Sequence, residues 1–271
     1  MCRGRTIRVL AIASGFAAAL AFAIAALPAD DCRLPASIVP LRVGDTIAQR
    51  TFEVDKVDWR LPKNRLERFR AAGVIIDEEQ RVAITASGVV LKTTSLGPVL
   101  QARAAISSFD VPRQTQIVTS SNTTLQLGPD NQPRAVGPID LADAAMIDLP
   151  QTLRKLGQRW RTHLAVETTL GDGDATFDHI IVACANGLVE VDVHGHGTIT
   201  GPQYHLPKLL PGTIELDGSA WVNVRLGIVT QESYAIHDTL LKPAEGEQIG
   251  FDERRTLDAN AQLHKAAQGP G

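Results

Sequence analysis

Between Asp178 and Thr200 the chain reads DHIIVACANGLVEVDVHGHGTIT, two runs in which apolar and polar side chains alternate, joined at Asn186-Gly187. Alternation of period two marks half-buried strands, and Asn-Gly between two such runs is a strong hairpin signal. In the second run Val189, Val191 and Val193 share one face, while Glu190, Asp192, His194 and His196 share the other. The hairpin is therefore expected to give valines to a core and acids and imidazoles to the opposite face.

The same alternation recurs along most of the chain. Thr46–Asp58, 74–76, Arg81–Thr85, Val89–Thr94, Val99–Phe109, Gln114–Thr119 and Thr123–Leu127 read as strands. So do Trp160–Thr169, Gly212–Leu216, Ala220–Glu232 and Tyr234–Leu241. Between them lie Asp77-Glu78-Glu79-Gln80, Ser87-Gly88, Gly97-Pro98, Gly128-Pro129-Asp130-Asn131 and Gly171-Asp172-Gly173-Asp174, all turn-forming compositions. Helical periodicity is confined to short stretches. One covers 63–72 and is closed by Gly73; another starts near Asp140 and passes Leu141 and Met146; Pro150 opens a turn that ends before Gly157. These features predict a mainly β chain folded as an antiparallel curved sheet (half-barrel, barrel or sandwich) with one or two short helices. Residues 30–140 and 141–255 are expected to form two sheet halves, and 256–271 a polar disordered tail. Val43-Gly44-Asp45-Thr46 and Leu156-Gly157-Gln158-Arg159-Trp160 both lead into strands, which makes two related halves one reading and coincidence the other.

Charge and composition change the picture chiefly at the N-terminus. Arg3, Arg5 and Arg8 precede an apolar run from Val9 to about Leu27, followed by small residues and then Asp30-Asp31. This is the layout of a secretory signal peptide over 1–29, with a processing site after Leu27-Pro28-Ala29. The run is also long enough to serve as an uncleaved anchor. Cleavage would lower the net charge from −3 to −6, because the leader carries three Arg and no acid. An acidic chain with no basic patch predicts no nucleic-acid partner, and the absence of a second long apolar run predicts no membrane span after cleavage. Of three cysteines, Cys2 would leave with the leader, so Cys32 and Cys184 form a candidate disulfide in an oxidising compartment.

Candidate chemistry centres on His194-Gly195-His196. On a strand, His-x-His directs two imidazoles to one side about 7 Å apart, a spacing one Zn²⁺ can bridge, and Asp192 shares that face. Gly195 and Gly197 would let a metal or ligand approach the backbone. A third ligand would have to come from His179, His205 or His237, since no glutamate follows the pair closely in sequence. Asp172, Asp174 and Asp178 lack the glycine and terminal glutamate of a calcium loop. No Gly-x-Ser-x-Gly, Ser-x-x-Lys or phosphate-cradling glycine loop occurs, and Asp217-Gly218-Ser219 reads as a turn. The proline-punctuated segment 201–212 offers Tyr204, His205, Leu206, Leu209 and Leu210 as a cover over the sheet. Trp59, Trp160 and Trp221 are expected in the core.

Leu149-Pro150, the Gly157-x-x-Trp160 strand start and the segment Gly212–Asp217 give the chain a layout that resembles uncharacterised exported bacterial β-rich proteins. The resemblance implies a fold and no activity. The expected function is that of a non-catalytic exported envelope protein, periplasmic or extracellular, needing no cofactor and binding a hydrophobic small molecule or an envelope protein. The alternative is a zinc-dependent enzyme or metal-binding protein built on His194, His196 and Asp192.

Overall fold

The computed structural model describes residues 39–73, 75–128, 131, 139–146, 150, 155–202, 209–242 and 247–266. The expected leader, Cys32, residues 203–208 of the 201–212 segment and the last residues lie outside them. In chain order the elements are β1 (Thr46–Arg60), α1 (Lys63–Ala71), β2 (Asp77–Thr94), β3 (Gly97–Asp110), β4 (Thr115–Gln126), β5 (Ile139–Asp140), α2 (Leu141–Ala144), β6 (Arg159–Glu167), β7 (Asp172–Ala185), β8 (Leu188–Pro202), β9 (Leu209–Asn223), β10 (Ile228–Lys242) and β11 (Glu247–His264). All strands belong to one open sheet in the order β4-β3-β2-β1-β11-β10-β9-β8-β7-β6-β5. Every pairing is antiparallel except the two-residue contact of β5 with β6.

The β7–β8 hairpin forms as its sequence predicts. Asn186 and Gly187 both take positive φ, 52° and 78°, as a two-residue turn matched to strand twist requires. Val189, Val191 and Val193 are buried, whereas Asp192, His194 and His196 are exposed. This inner face is continuous with Phe177 and Ile181 on β7, Ile214 and Leu216 on β9, Ile236 on β10 and Phe251 on β11. Leu141, Ala142, Ala144, Ala145 and Met146, in and just after α2, pack onto it. Part of the inner face is thus buried beneath a short helix, which Asp140 caps by accepting a hydrogen bond from the Ala142 amide at 3.1 Å.

Several expectations are corrected. The tail does not begin at residue 256: β11 runs to His264 and joins the two ends of the chain, pairing with β1 from Thr46↔His264 to Arg60↔Gly250 and with β10 on its other side. Polar composition misled there because β11 alternates inward Leu257, Arg255 and Phe251 with outward charge, and its pairing partners are remote in sequence. Gly218 is a mid-strand residue of β9 rather than part of a turn, packed where an added Cβ would meet Ser233 O and the Tyr234 ring. The turn falls at 224–227 instead, with Gly227 at φ 69°. Ser87-Gly88 and 77–80 lie inside the 18-residue β2, and Asp172 already belongs to β7. Turn-forming residues are tolerated there because long neighbouring strands hold them in register. Trp59 and Trp160 pack on the core, but Trp221 lies on the outer face, opposite Glu190.

The two strand starts do share a device. Gly44 and Gly157 have φ of 84° and 75°, and each amide donates to a carbonyl of a neighbouring strand, Val90 O at 2.9 Å and Ile181 O at 2.8 Å. The likeness is local: four strands lie on one side of the joining strand β11 and six on the other.

Candidate functional site

The outer face carries a ladder of opposite charges across four strands. Register aligns Arg161 (β6), Asp178 (β7), His194 (β8) and Asp217 (β9) in one row. Arg161 grips Asp178 with two hydrogen bonds, Nε to Oδ1 at 2.7 Å and a second nitrogen to Oδ2 at 3.1 Å. The Arg161 guanidinium holds the Asp178 carboxyl below its usual range. His194 Nδ1 lies 2.6 Å from Asp217 Oδ1. In the next row stand Thr176, His196, Glu215, His237 and Asp252, with His237 Nδ1 2.7 Å from Asp252 Oδ1. With Arg159, Asp192, Ser219 and Ser233, the first row lines a wide outer groove of about 1160 Å³.

The imidazoles of His194 and His196 do lie side by side, with ring centroids 5.9 Å apart. However, the Nδ1 of His194 is turned to Asp217, a residue read from sequence as part of a turn. Among the described residues no cluster of three or more His, Cys, Asp and Glu has metal-holding geometry. Of the remote candidates, His179 points to the inner face, His237 is engaged with Asp252, and His205 lies outside the described residues. Gly195 and Gly197 serve packing: an added Cβ would sit 2.8 Å from the Phe177 ring at Gly195 and 2.1 Å from Asp174 O at Gly197. Because the His194–Asp217 pair is well exposed, His194→Ala is expected to cost less than about 1 kcal/mol, read by thermal unfolding beside the wild type.

Sequence reasoning missed the most perturbed groups, which lie on the inner face. Arg255 (β11) sits between Asp55 (β1) and Tyr234 (β10), and the flanking row carries Glu53 and Glu232. Its guanidinium lies 2.6 Å from Asp143, 3.1 Å from Asp140, 3.1 Å from Glu232 and 3.4 Å from Glu53. One cation thus faces five carboxyls, with the Arg255 side chain 6% exposed and that of Glu232 3% exposed, while Asp140 at the rim is 53% exposed. Burial pushes Glu53 and Glu232 up to about 8, and Asp55 up to about 6, against the opposing pull of Arg255. Glu53 and Glu232 are accordingly protonated at neutral pH. The Tyr234 hydroxyl is buried in the same layer without a hydrogen-bond partner among the described residues.

Displaced acid pKa values of this kind mark many catalytic centres, but ion-pair networks displace them too. Here the geometry ties down α2. Arg255 holds Asp140 at its N-cap and Asp143 in its first turn. At the other end His179 Nε2 donates to Ala145 O at 2.7 Å, its ring stacked 4.7 Å from that of Trp160. Burial depresses the His179 pKa, which keeps the imidazole neutral. The available sequence signal was an acid at successive inward positions of β1, Glu53 and Asp55, next to inward Val57 and Trp59; the outward residues Phe52 and Val54 concealed it.

Cys184, at the end of β7, is disulfide-bonded, and its partner lies outside the described residues.

No protein-family model matches the chain, and no curated protein matches it in sequence. Among solved structures, the chain overlaps the type II secretion system secretin GspD of E. coli K12 at 8% identity, over 83% of this chain and 51% of that one, with a TM-score of 0.16. It overlaps Ail, the attachment invasion locus protein of Yersinia pestis, at 10% identity over 81% and 100% of the two chains, TM-score 0.15. For the secretin domain of InvG from Salmonella the values are 7%, 84%, 65% and 0.16. The chain spans about half the length of the GspD chain.

Proposed function

We propose that this chain is a non-catalytic exported protein of the bacterial cell envelope that holds an apolar ligand against the inner face of its open sheet. One observation carries the reading. The β6–β11 part of the inner face is covered by α2, but the β2–β3 part has its own apolar cluster, Ile84, Ala104 and Ile106, separate from the main core. Its apolar neighbours among the described residues, Val82 and Ala86, belong to the same sheet. Ile84, Ala104 and Ile106 are 4%, 4% and 6% exposed, so this is a second closed apolar layer, which an apolar molecule would enter by parting the side chains over it.

Export is supported by the basic, apolar and small-residue order of residues 1–29, and by Cys184 being oxidised, with Cys32 as the proposed partner. The outer face argues against a wall in contact with lipid, which would carry an apolar band where this sheet carries rows of charge. The reading requires no cofactor; zinc at Asp192, His194 and His196 is its alternative, and stoichiometric zinc in the purified protein would favour that instead.

The test is titration of the protein with the fluorescent apolar probe N-phenyl-1-naphthylamine. Saturable enhancement in the low micromolar range is expected. Ala86→Glu places a charge at a half-buried position of that layer and is expected to weaken binding at least about tenfold, with the circular dichroism spectrum retained. No enhancement with the folded wild type would sink the reading.

A further inference from the structure

We propose that two copies of this chain join through β4, antiparallel about a two-fold axis at Ser120, so that their open sheets become one. Among the described residues β4 is the edge of the sheet, and its sequence TQIVTSSNTTLQ holds no charged residue, no proline and no glycine. Edge strands expose a row of unpaired backbone donors and acceptors, and proteins ordinarily blunt them with charge, proline or shortness. The opposite edge is protected in this way. β5 covers Val166 and Glu167, and the rest of β6 presents exposed Arg159, Arg161 and His163. β4 has none of these devices, and Ile117 and Val118 are 51% and 68% exposed on it.

The side-chain pattern selects a second copy and one register. Ile117, Thr119, Ser121, Thr123 and Leu125 lie on the inner face, opposite Ser108, Ile106, Ala104, Ala102 and Leu100 of β3. Antiparallel pairing about Ser120 sets Thr119 opposite Ser121 of the second copy, Ile117 opposite Thr123 and Val118 opposite Asn122. Inner positions meet inner positions, and no charges are opposed. The Thr119 and Ser121 hydroxyls are buried and lack a hydrogen-bond partner among the described residues. In this register they face each other across the axis, twice, and Thr–Ser cross-strand pairs of this kind hydrogen-bond. An unpaired buried hydroxyl is costly, so the second copy supplies what one chain leaves unmet. Both inner faces then lie on the same side of the joined sheet.

Sedimentation velocity of the wild-type protein at about 100 µM should show a dimer, as expected for a modest interface. Ser120→Lys sets two ammonium groups directly opposite one another and should weaken dimerisation at least tenfold while circular dichroism and melting stay unchanged, because Ser120 is exposed. Mixing Ser120→Lys with Ser120→Asp should restore a dimer. Under mild oxidation Ser120→Cys should give a disulfide-linked dimer, since residues facing themselves across the axis have Cβ atoms about 5 Å apart. Asn122→Cys, whose two copies are about 14 Å apart along the strands, should not. A wild type that stays monomeric, an open-ended assembly, or a Ser120→Lys protein that dimerises as readily as the wild type would each overturn the proposal.

Discussion

Replacing Arg255 by methionine is expected to destabilise the protein by more than about 3 kcal/mol at neutral pH, among the largest effects of any single substitution. Methionine keeps most of the side-chain volume, so the loss is electrostatic. Asp140 and Asp143 lose their partner at the N-terminus of α2, Asp55 loses the cation beside it, and the protonated Glu53 and Glu232 lose a hydrogen-bond donor. The carboxyls left behind must protonate or draw in water, and breaking one side of a buried pair costs far more than the pair contributes net. The deficit should be smaller near pH 5, where protonation is cheap, and larger near pH 8. Urea unfolding of wild type and Arg255→Met at the two pH values reads both parts. An unchanged midpoint at pH 8 would mean that Arg255 does not anchor the helix.

Stability of the wild type is itself expected to fall as pH rises from about 5 to about 8.5. Glu53 and Glu232 hold their protons in the folded chain up to about 8, whereas in the unfolded chain they ionise near their ordinary value of 4.5. Asp55 behaves alike over a narrower window, up to about 6. Between those limits the folded state binds more protons, so raising the pH favours unfolding. Two glutamates shifted this far correspond to a loss of at least about 3 kcal/mol across the window. His179, kept neutral by burial, acts in the opposite sense and lowers stability as pH falls below the ordinary imidazole range. Maximum stability should therefore lie on the mildly acidic side of neutrality. The double variant Glu53→Gln plus Glu232→Gln should flatten the alkaline slope, as melting temperatures between pH 5 and 9 will show; an unaltered slope would place the proton uptake elsewhere.

The sequence disclosed what depends on neighbours close along the chain and concealed what depends on remote ones. The β7–β8 hairpin was legible because a turn dipeptide and a valine stripe sit together, and α2 was legible from Asp140 and the apolar residues after it. The end of the chain was not. β11 draws its hydrogen bonds from β1, some 200 residues earlier, and nothing in Asn260–His264 shows that a partner strand is waiting. The acid cluster was hidden for the same reason: Glu53, Asp140, Glu232 and Arg255 come from four separate segments. Period-two reading left His194 and His196 on an outward face, where the structure has them. It could not reveal that cross-strand register gives His194 to Asp217 rather than to its own neighbour Asp192.

The proposed function is tested most directly by native mass spectrometry of the wild-type protein isolated from the cells that make it. The expected result is a fraction carrying one apolar molecule, removed by organic extraction and absent from Ala86→Glu. A wild-type protein that is wholly free of bound apolar molecules, and that takes up none when offered a total lipid extract, would contradict it.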